Sequence, residues 1–338
     1  MPGQPEVSVI VPARNEEASL GACLASLVSQ AGVECEVIVV NDGSTDRTEA
    51  IAASFAGVKV LRAPQLPPGW VGKNHAVAVG AAQALGAWLL FTDADTVHLP
   101  GSMGRALAEA RQQGCALLSY SPEQEVRSLA EKAVMPVIFA ELASQYKPSE
   151  VSDPASAAAA ANGQYLLIAR EAYDAIGGHE AVADCILEDV ALAAAVKRSG
   201  RKIYFRFAAD AVRTRMYRTL NQLTEGWTKN LALLFPSPGR LAVVRLAEFL
   251  TIAAAVVLAV RGFEAGSRMG WAFAACALLM YSFLMRRIRK AHFSWDANAL
   301  AFFGLPLFAY LLVRSKMSYR SGTVRWKGRD YAAGAGTR

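Results

Sequence analysis

The sequence predicts an α/β protein: a parallel, doubly wound sheet first, then helices apolar enough for a membrane. Three observations predict it. Short, continuous, β-branched runs alternate with helix-like stretches between residues 7 and 94. Polar residues gather just after three of those runs. After residue 238 the composition changes, and three long apolar segments stand among basic clusters.

The strand-like runs are VSVIVPA (7–13), EVIVV (36–40), VKVLRA (58–63) and AWLLFTDA (87–94). Unbroken apolar runs of this length suit strands covered on both faces. The intervening EEASLGACLASLVSQ, DRTEAIAASFA and KNHAVAVGAAQALG read as crossover helices, so the sheet is expected to be mostly parallel. Such sheets bind ligands beyond the carboxyl ends of their strands. There the sequence places Arg14-Asn15-Glu16, Asn41-Asp42-Gly43, and Asp93 with Asp95. Further on, AEKAVMPVIFAELAS (130–144) reads as a helix and NGQYLLIAR (162–170) as a strand. EDVALAAAVKRSG (188–200) reads as a helix closed by Gly200, and KIYFRF (202–207) as a strand.

Segment 241–260 is apolar except for Arg245 and Glu248; 269–285 and 297–313 are 17 uncharged residues each. Seventeen helical residues reach about 25 Å against a hydrocarbon core roughly 30 Å thick, so flanking Arg and Lys are expected to snorkel. RRIRK (286–290) and the basic tail are expected on the cytosolic side. The first two segments then form a hairpin. The third, with Gly304 and Pro306 inside it, is expected to be re-entrant or interfacial. The expected division is a catalytic domain at 1–238 and a membrane-associated region at 239–338.

Composition agrees: the chain is 53% hydrophobic, and part of its +6 net charge lies in those late clusters, pointing to a membrane surface and not to nucleic acid. Five scattered cysteines with no C-x-x-C pair fit a reducing compartment and speak against a disulfide frame or a zinc site. The start, MPGQPEVSVIVPARNEE, has no basic stretch leading into an apolar one. The N-terminal part is therefore expected in the cytosol, at the inner (cytoplasmic) membrane.

Positions i and i+2 of a strand share a face, so Asp93 and Asp95 at a strand exit are expected to hold a hard divalent cation, Mg2+ or Mn2+. The alternative is a pair of helix caps before Pro100. Asp42 suits a base N–H or a ribose hydroxyl, and Asp46 suits the cap of the next helix. Lys73 opens a helix, where the dipole disfavours it; an anionic ligand explains it, and a solvated lysine is the alternative. Glu188-Asp189 also open a helix. The dipole accounts for Glu188, while Asp189 suits a general base facing the carboxylate pair.

In this order and spacing, VSVIVPARNEE, VVNDGSTDRT, GKNHA, FTDADT and LEDVALA resemble the family 2 glycosyltransferases of the GT-A fold, over residues 1–230. The resemblance implies a nucleotide-diphospho-sugar donor, with a lean to UDP, and an inverting transfer. Carried over by position, Pro12, Ala13, Arg14, Asn15, Glu16 and Asp42 hold the nucleoside, with Lys73 also on the donor. Asp93 and Ala94 lie by the ribose and donor sugar, Asp95 binds the metal, and Asp189 is the base. Glu188 and Trp227 face the acceptor or sugar.

One departure matters. The Q-x-x-R-W motif of processive members is replaced by NQLTEGWTKNLALLF (221–235), which argues against a polymer synthase. EGWTKN, WKGRDY (326–331) and the late apolar segments resemble membrane-associated bacterial enzymes that glycosylate carotenoid acids, hopanoid-type lipids or ceramide-like acceptors. A lipid or isoprenoid acceptor is thereby implied. Trp326 to Tyr331 either fold back on the donor site, with Arg329 facing phosphate, or contact lipid. A polyprenyl-phosphate sugar transferase is an alternative within the class. A sugar-1-phosphate nucleotidyltransferase would open with a Gly-rich loop where PARNEE stands, and a degenerate scaffold would have lost its carboxylates.

Overall fold

The computed structural model describes residues 4–332. In chain order the elements begin β1 (Val7–Ala13), α1 (Leu20–Val28), β2 (Cys35–Asn41), α2 (Thr48–Ala53), β3 (Val58–Arg62), α3 (Gly72–Ala82), β4 (Trp88–Phe91) and β5 (Thr96–His98). There follow α4 (Ser102–Gln113), β6 (Leu117–Ser121), β7 (Glu123–Gln124), α5 (Leu129–Gln145), α6 (Pro148–Ser152), β8 (Leu166–Ala169), α7 (Arg170–Ala175), α8 (Glu188–Arg198), β9 (Ile203–Phe207) and β10 (Val212–Thr214). The chain continues with α9 (Leu220–Leu234), α10 (Pro238–Glu264), α11 (Met269–Ile288), α12 (Trp295–Arg320), β11 (Thr323–Trp326) and β12 (Arg329–Ala332). Contacts divide the chain into two units. One runs to Glu125 and resumes over Tyr146–Met216; the other takes Val126–Gln145 and the chain from Tyr217.

The first unit is built on a seven-stranded sheet in the order β3-β2-β1-β4-β8-β6-β9. β1 runs parallel to β2 and β4, β2 to β3, and β6 to β9; β8 alone is antiparallel, between β4 and β6. The period-2 alternation of β1 feeds two cores. Val7, Val9 and Val11 pack with Leu20, Leu24 and Leu27 of α1 and Met103 of α4. Ile10 packs on the other face with Ala76 and Val77 of α3 and Val196 of α8. Strand order reverses between β1 and β4, so the crevice beyond their carboxyl ends is the sheet's switch point. A second sheet, β5-β10-β7, follows that end.

β4 is shorter than the run 87–94 suggested. It stops at Phe91, its last pairing with β8, and Asp93-Ala94-Asp95 form a turn. The Thr96 amide and hydroxyl both donate to the Asp93 carbonyl, at 3.3 and 2.7 Å. This closes the turn and takes the backbone off the ladder. The shared strand face expected for the two carboxylates is therefore replaced by turn geometry.

In the second unit, α10, α11 and α12 are long and apolar enough to cross a membrane. The apolar window of α12 is 44% buried, against 17% for each of the other two. Much of that burial is against α5 and α9. A Cβ at Gly304 would collide with the Ala133 carbonyl, so glycine is what brings α12 against α5. The re-entrant form expected of this segment is not observed. α12 runs unbroken for 26 residues through Pro306, where only one N–H is lost and packed neighbours hold both turns. Within 241–260, Arg245 and Glu248 belong to a closed ring of ion pairs. Arg245 reaches Glu248 at 2.7 Å and Glu141 of α5 at 3.0 Å; Arg287 of α11 reaches the same two carboxylates at 2.8 and 3.2 Å. Glu141 is buried. Removing one partner of such a buried set strands the others.

Glu141→Leu is accordingly expected to destabilise the protein by about 3–5 kcal/mol. Thermal unfolding in detergent micelles measures it, and an unchanged midpoint would show the ring to be incidental.

Candidate active site

Two loops close one side of the switch-point crevice. The turn after β1 contains Asn15 at φ 53°, an unusual value that asparagine tolerates. Its Oδ1 accepts from the Thr45 amide at 2.8 Å, and its own amide donates to Ser44 Oγ at 3.0 Å. The Glu16 amide donates to Thr48 Oγ1 at 2.8 Å. Arg14 Nη1 donates to the Asp42 carbonyl at 3.0 Å and lies 4.0 Å from the Asp42 carboxylate. Pro12–Glu16 and Asp42 thus form one stitched surface. Asp46 stands one residue before the N-cap position of α2, which Arg47 occupies, and accepts from the Thr48 amide at 3.0 Å and the Glu17 amide at 3.1 Å.

The other side holds the charges. Lys73 Nζ, at the start of α3, lies 2.8 Å from Asp93 Oδ1 and 2.8 Å from Glu188 Oε1. Burial disfavours the ammonium, but the charges of Asp93, Glu188 and Asp189 overcome it and raise Lys73 well above the ordinary lysine range. The dipole conflict of a lysine at a helix start is thus resolved by three carboxylates. Asn74 sets the approach of α3: its amide nitrogen donates to the carbonyls of Val182, Ala183 and Cys185, at 2.8, 3.1 and 2.9 Å. This draws the segment before α8, and with it Glu188 and Asp189, against Lys73.

Asp189 Oδ2 accepts from the Gly163 amide at 2.7 Å, and Oδ1 from the Val190 amide at 2.8 Å. Burial, then the charge of Glu188, push its carboxyl up to about 6, with Lys73 and the two amides opposing. His179 is buried beside the same cleft. Burial, with the Lys73 charge adding, pushes it down to about 3, so it stays neutral; its Nδ1 pairs with the Tyr173 hydroxyl at 2.9 Å. The cleft is lined by Pro12, Lys73, Asp93, His179, Glu188 and Asp189, with Gly163 in its wall.

The Asp93–Asp95 turn is held from behind. Thr92 Oγ1 donates to the Gln164 carbonyl at 2.8 Å and pairs with Thr96 Oγ1 and His98 Nε2. Ala94 is 2% exposed and part of the core, so its side chain is closed to ligand. Cys23 of α1 reads the field here. Burial pushes its thiol up to about 12, a bond to Thr96 opposes, and Asp95, Asp93 and Glu16 add to the rise. Among the described residues no three metal-ligating side chains converge into a cage. Asp93 lines the cleft and Asp95 does not; carboxylates of such a turn suit a small hard cation completed by diphosphate oxygens and water.

Trp227 is not part of the cleft's lining. It is 2% exposed in the second unit, with Nε1 3.3 Å from Met135 Sδ and its ring edge-on to Phe139 and angled against Tyr217. It has no open face for a sugar or acceptor to stack on. In the WKGRDY hairpin, the Lys327 amide donates to Glu225 of α9 at 3.0 Å, and Lys229 lies over the Trp326 ring. Asn74, Gly163 and His179 went unsingled in the sequence. GKNHA and GGH carried signals for two of them, since polar residues beside a helix start or a double glycine are well placed to bind backbone.

A sheet of this topology with a carboxylate-rich cleft at its switch point defines a GT-A transferase. The fold is shared with a mannosyltransferase of Pyrobaculum calidifontis, solved in complex with GDP-Man and Mn2+. The match spans 94% of this chain and 87% of that one, with TM-score 0.53 at 16% identity. Residues 8–167 match the family model described as glycosyl transferase family 2. The 4,4'-diaponeurosporenoate glycosyltransferase of Staphylococcus aureus (strain MRSA252) is 30% identical over 96% of this chain and 88% of its own length. Its counterpart in strain USA300 is 29% identical over the same shares. The chain belongs to glycosyltransferase family 2, and it is an enzyme, a glycosyltransferase.

The pH dependence follows from the signs above. With Asp189 expected as the base for a hydroxyl acceptor, kcat/KM on such an acceptor is expected to fall below an apparent pKa near 6; because Glu188 and Lys73 interact with Asp189, that midpoint belongs to the set. Glu188→Gln removes a charge that raises it and moves the acidic limb to lower pH. Lys73→Met removes a charge that lowers it and moves the limb to higher pH. Profiles that fail to move in opposite directions would disprove the coupling.

Proposed function

We propose that this chain transfers a sugar, with inversion at the anomeric carbon, from a nucleotide-diphospho-sugar to a carotenoid-type isoprenoid or related lipid acceptor at the membrane. The observation that carries the reading is Asp189: a carboxylate held by a backbone amide, raised to about 6, in one cleft with Lys73 and Asp93. The stitched surface of Pro12–Glu16 and Asp42 is the support for nucleoside binding. The family resemblance favours UDP.

Asp95, with Asp93, would hold Mg2+ or Mn2+; their hard oxygen donors fit such an ion. When bound, the cation supplies counter-charge to the leaving nucleoside diphosphate. The mannosyltransferase that shares the fold was solved with Mn2+, which supports a divalent metal. Lys73 steadies Asp93 on the donor side and Glu188 on the acceptor side. With a hydroxyl acceptor, Asp189 takes the proton as the oxygen attacks the anomeric carbon from the face opposite the leaving group. A carboxylate acceptor arrives ionised, and Asp189 then only positions it. The curated relatives, named for a carotenoid acid, support an acceptor of that class. The absence of Q-x-x-R-W supports a single, non-processive transfer. We place α10 and α11 in the inner membrane as a hairpin, α12 at the interface, and the basic tail and the catalytic unit on the cytosolic side, from the apolar helices and the basic clusters.

Two measurements test this. Calorimetry with UDP is expected to show binding that needs Mn2+ or Mg2+ and is lost in Asp95→Ala; equal binding in EDTA rules out the metal role. Membranes given labelled UDP-glucose and a carotenoid acid are expected to yield label in the carotenoid fraction. Label on polyprenyl phosphate instead would reject the acceptor class.

A further inference from the structure

We propose that Gly163 is a positioning residue of the transfer: its amide orients Asp189, and its missing side chain admits the Lys73 ammonium between Asp93 and Glu188. The inference rests on the base reading of Asp189 and deepens it.

The turn that carries Gly163 is tied on both sides. The Asn162 amide donates to Ser119 Oγ at 2.8 Å, and that hydroxyl donates to the Tyr165 carbonyl at 3.0 Å. Asn162 Oδ1 accepts from the Gln164 amide at 3.0 Å, and the Gln164 carbonyl accepts from Thr92 Oγ1 at 2.8 Å. The backbone at 163 therefore has little freedom to retreat. A Cβ built there would lie 2.9 Å from Lys73 Nζ, 3.3 Å from Glu188 Oε1 and 3.5 Å from Asp189 Oδ2. The contact under 3 Å falls on the tip of the most flexible of the three side chains. An alanine is thus accommodated by displacing the ammonium, with the fold intact and the N–H still present to hold Asp189. The functional cost is specific. Lys73 can no longer bridge Asp93 and Glu188, and Asp189 loses its nearest positive charge.

The test is Gly163→Ala, with Lys73→Ala and the double variant completing a cycle. Gly163→Ala is expected to keep the wild-type unfolding midpoint, to lose about 10- to 100-fold in turnover, and to move the acidic limb of kcat/KM to higher pH. Adding it to Lys73→Ala is expected to cost nothing more. An unmoved limb, or losses that multiply in the double variant, would overturn the proposal. With a hydroxyl acceptor throughout, a wild-type profile with no acidic limb would reject the base reading of Asp189 instead, and the cycle alone would then decide the role of Gly163.

Discussion

One ammonium among three carboxylates holds the catalytic unit's chemistry together. Lys73 touches Asp93 at the end of β4 and Glu188 at the start of α8, and Asp189 feels its charge. Three carboxylates this close repel one another in the absence of a cation. With Lys73 in place, Asp93 and Glu188 are compensated, while Asp189, buried and beside Glu188, keeps a raised pKa. The division of roles within the LEDV motif follows from environment: adjacent residues on a helix point about 100° apart, so one takes the ion pair and the other takes the amide of Gly163.

Much of the surrounding structure serves to bring that ammonium to its place. Asn74 clamps the chain before α8 to the start of α3, and the Thr92–Thr96–His98 cluster sets the height of the aspartate turn. The second unit solves a similar problem in apolar surroundings. Arg245 and Arg287 alternate with Glu141 and Glu248, so four charges among apolar helices are each met by opposite charge on two sides.

The parallel strands and the polar strand ends were readable in the sequence, whereas Lys73, expected to meet an anionic ligand, pairs with Asp93 and Glu188. Local pattern and charge are enough for the strands and their ends. Other features needed tertiary context. Asp93 and Asp95 read as strand neighbours because AWLLFTDA is uniformly strand-like; side-chain bonds from Thr92 and Thr96, invisible to periodicity, end the strand early. Trp227 read as a ligand-facing ring, yet Met135 and Phe139, distant in sequence, bury it. α5 read as part of the catalytic domain, but its contacts place it in the second unit. Gly304 and Pro306 read as a break, while close packing on α5 carries the helix through. Gly163 gave no signal at all, since a glycine matters here for what it leaves out.

The central claim is that Asp189 removes the proton of a hydroxyl acceptor. Turnover of Asp189→Asn on a hydroxyl-bearing isoprenoid, at saturating donor and with UDP binding measured in parallel, tests it most directly. The side chain keeps its shape and loses its basicity, so the account predicts a loss of about 10²- to 10⁴-fold in turnover with UDP affinity unchanged. Turnover near that of the wild type would contradict it.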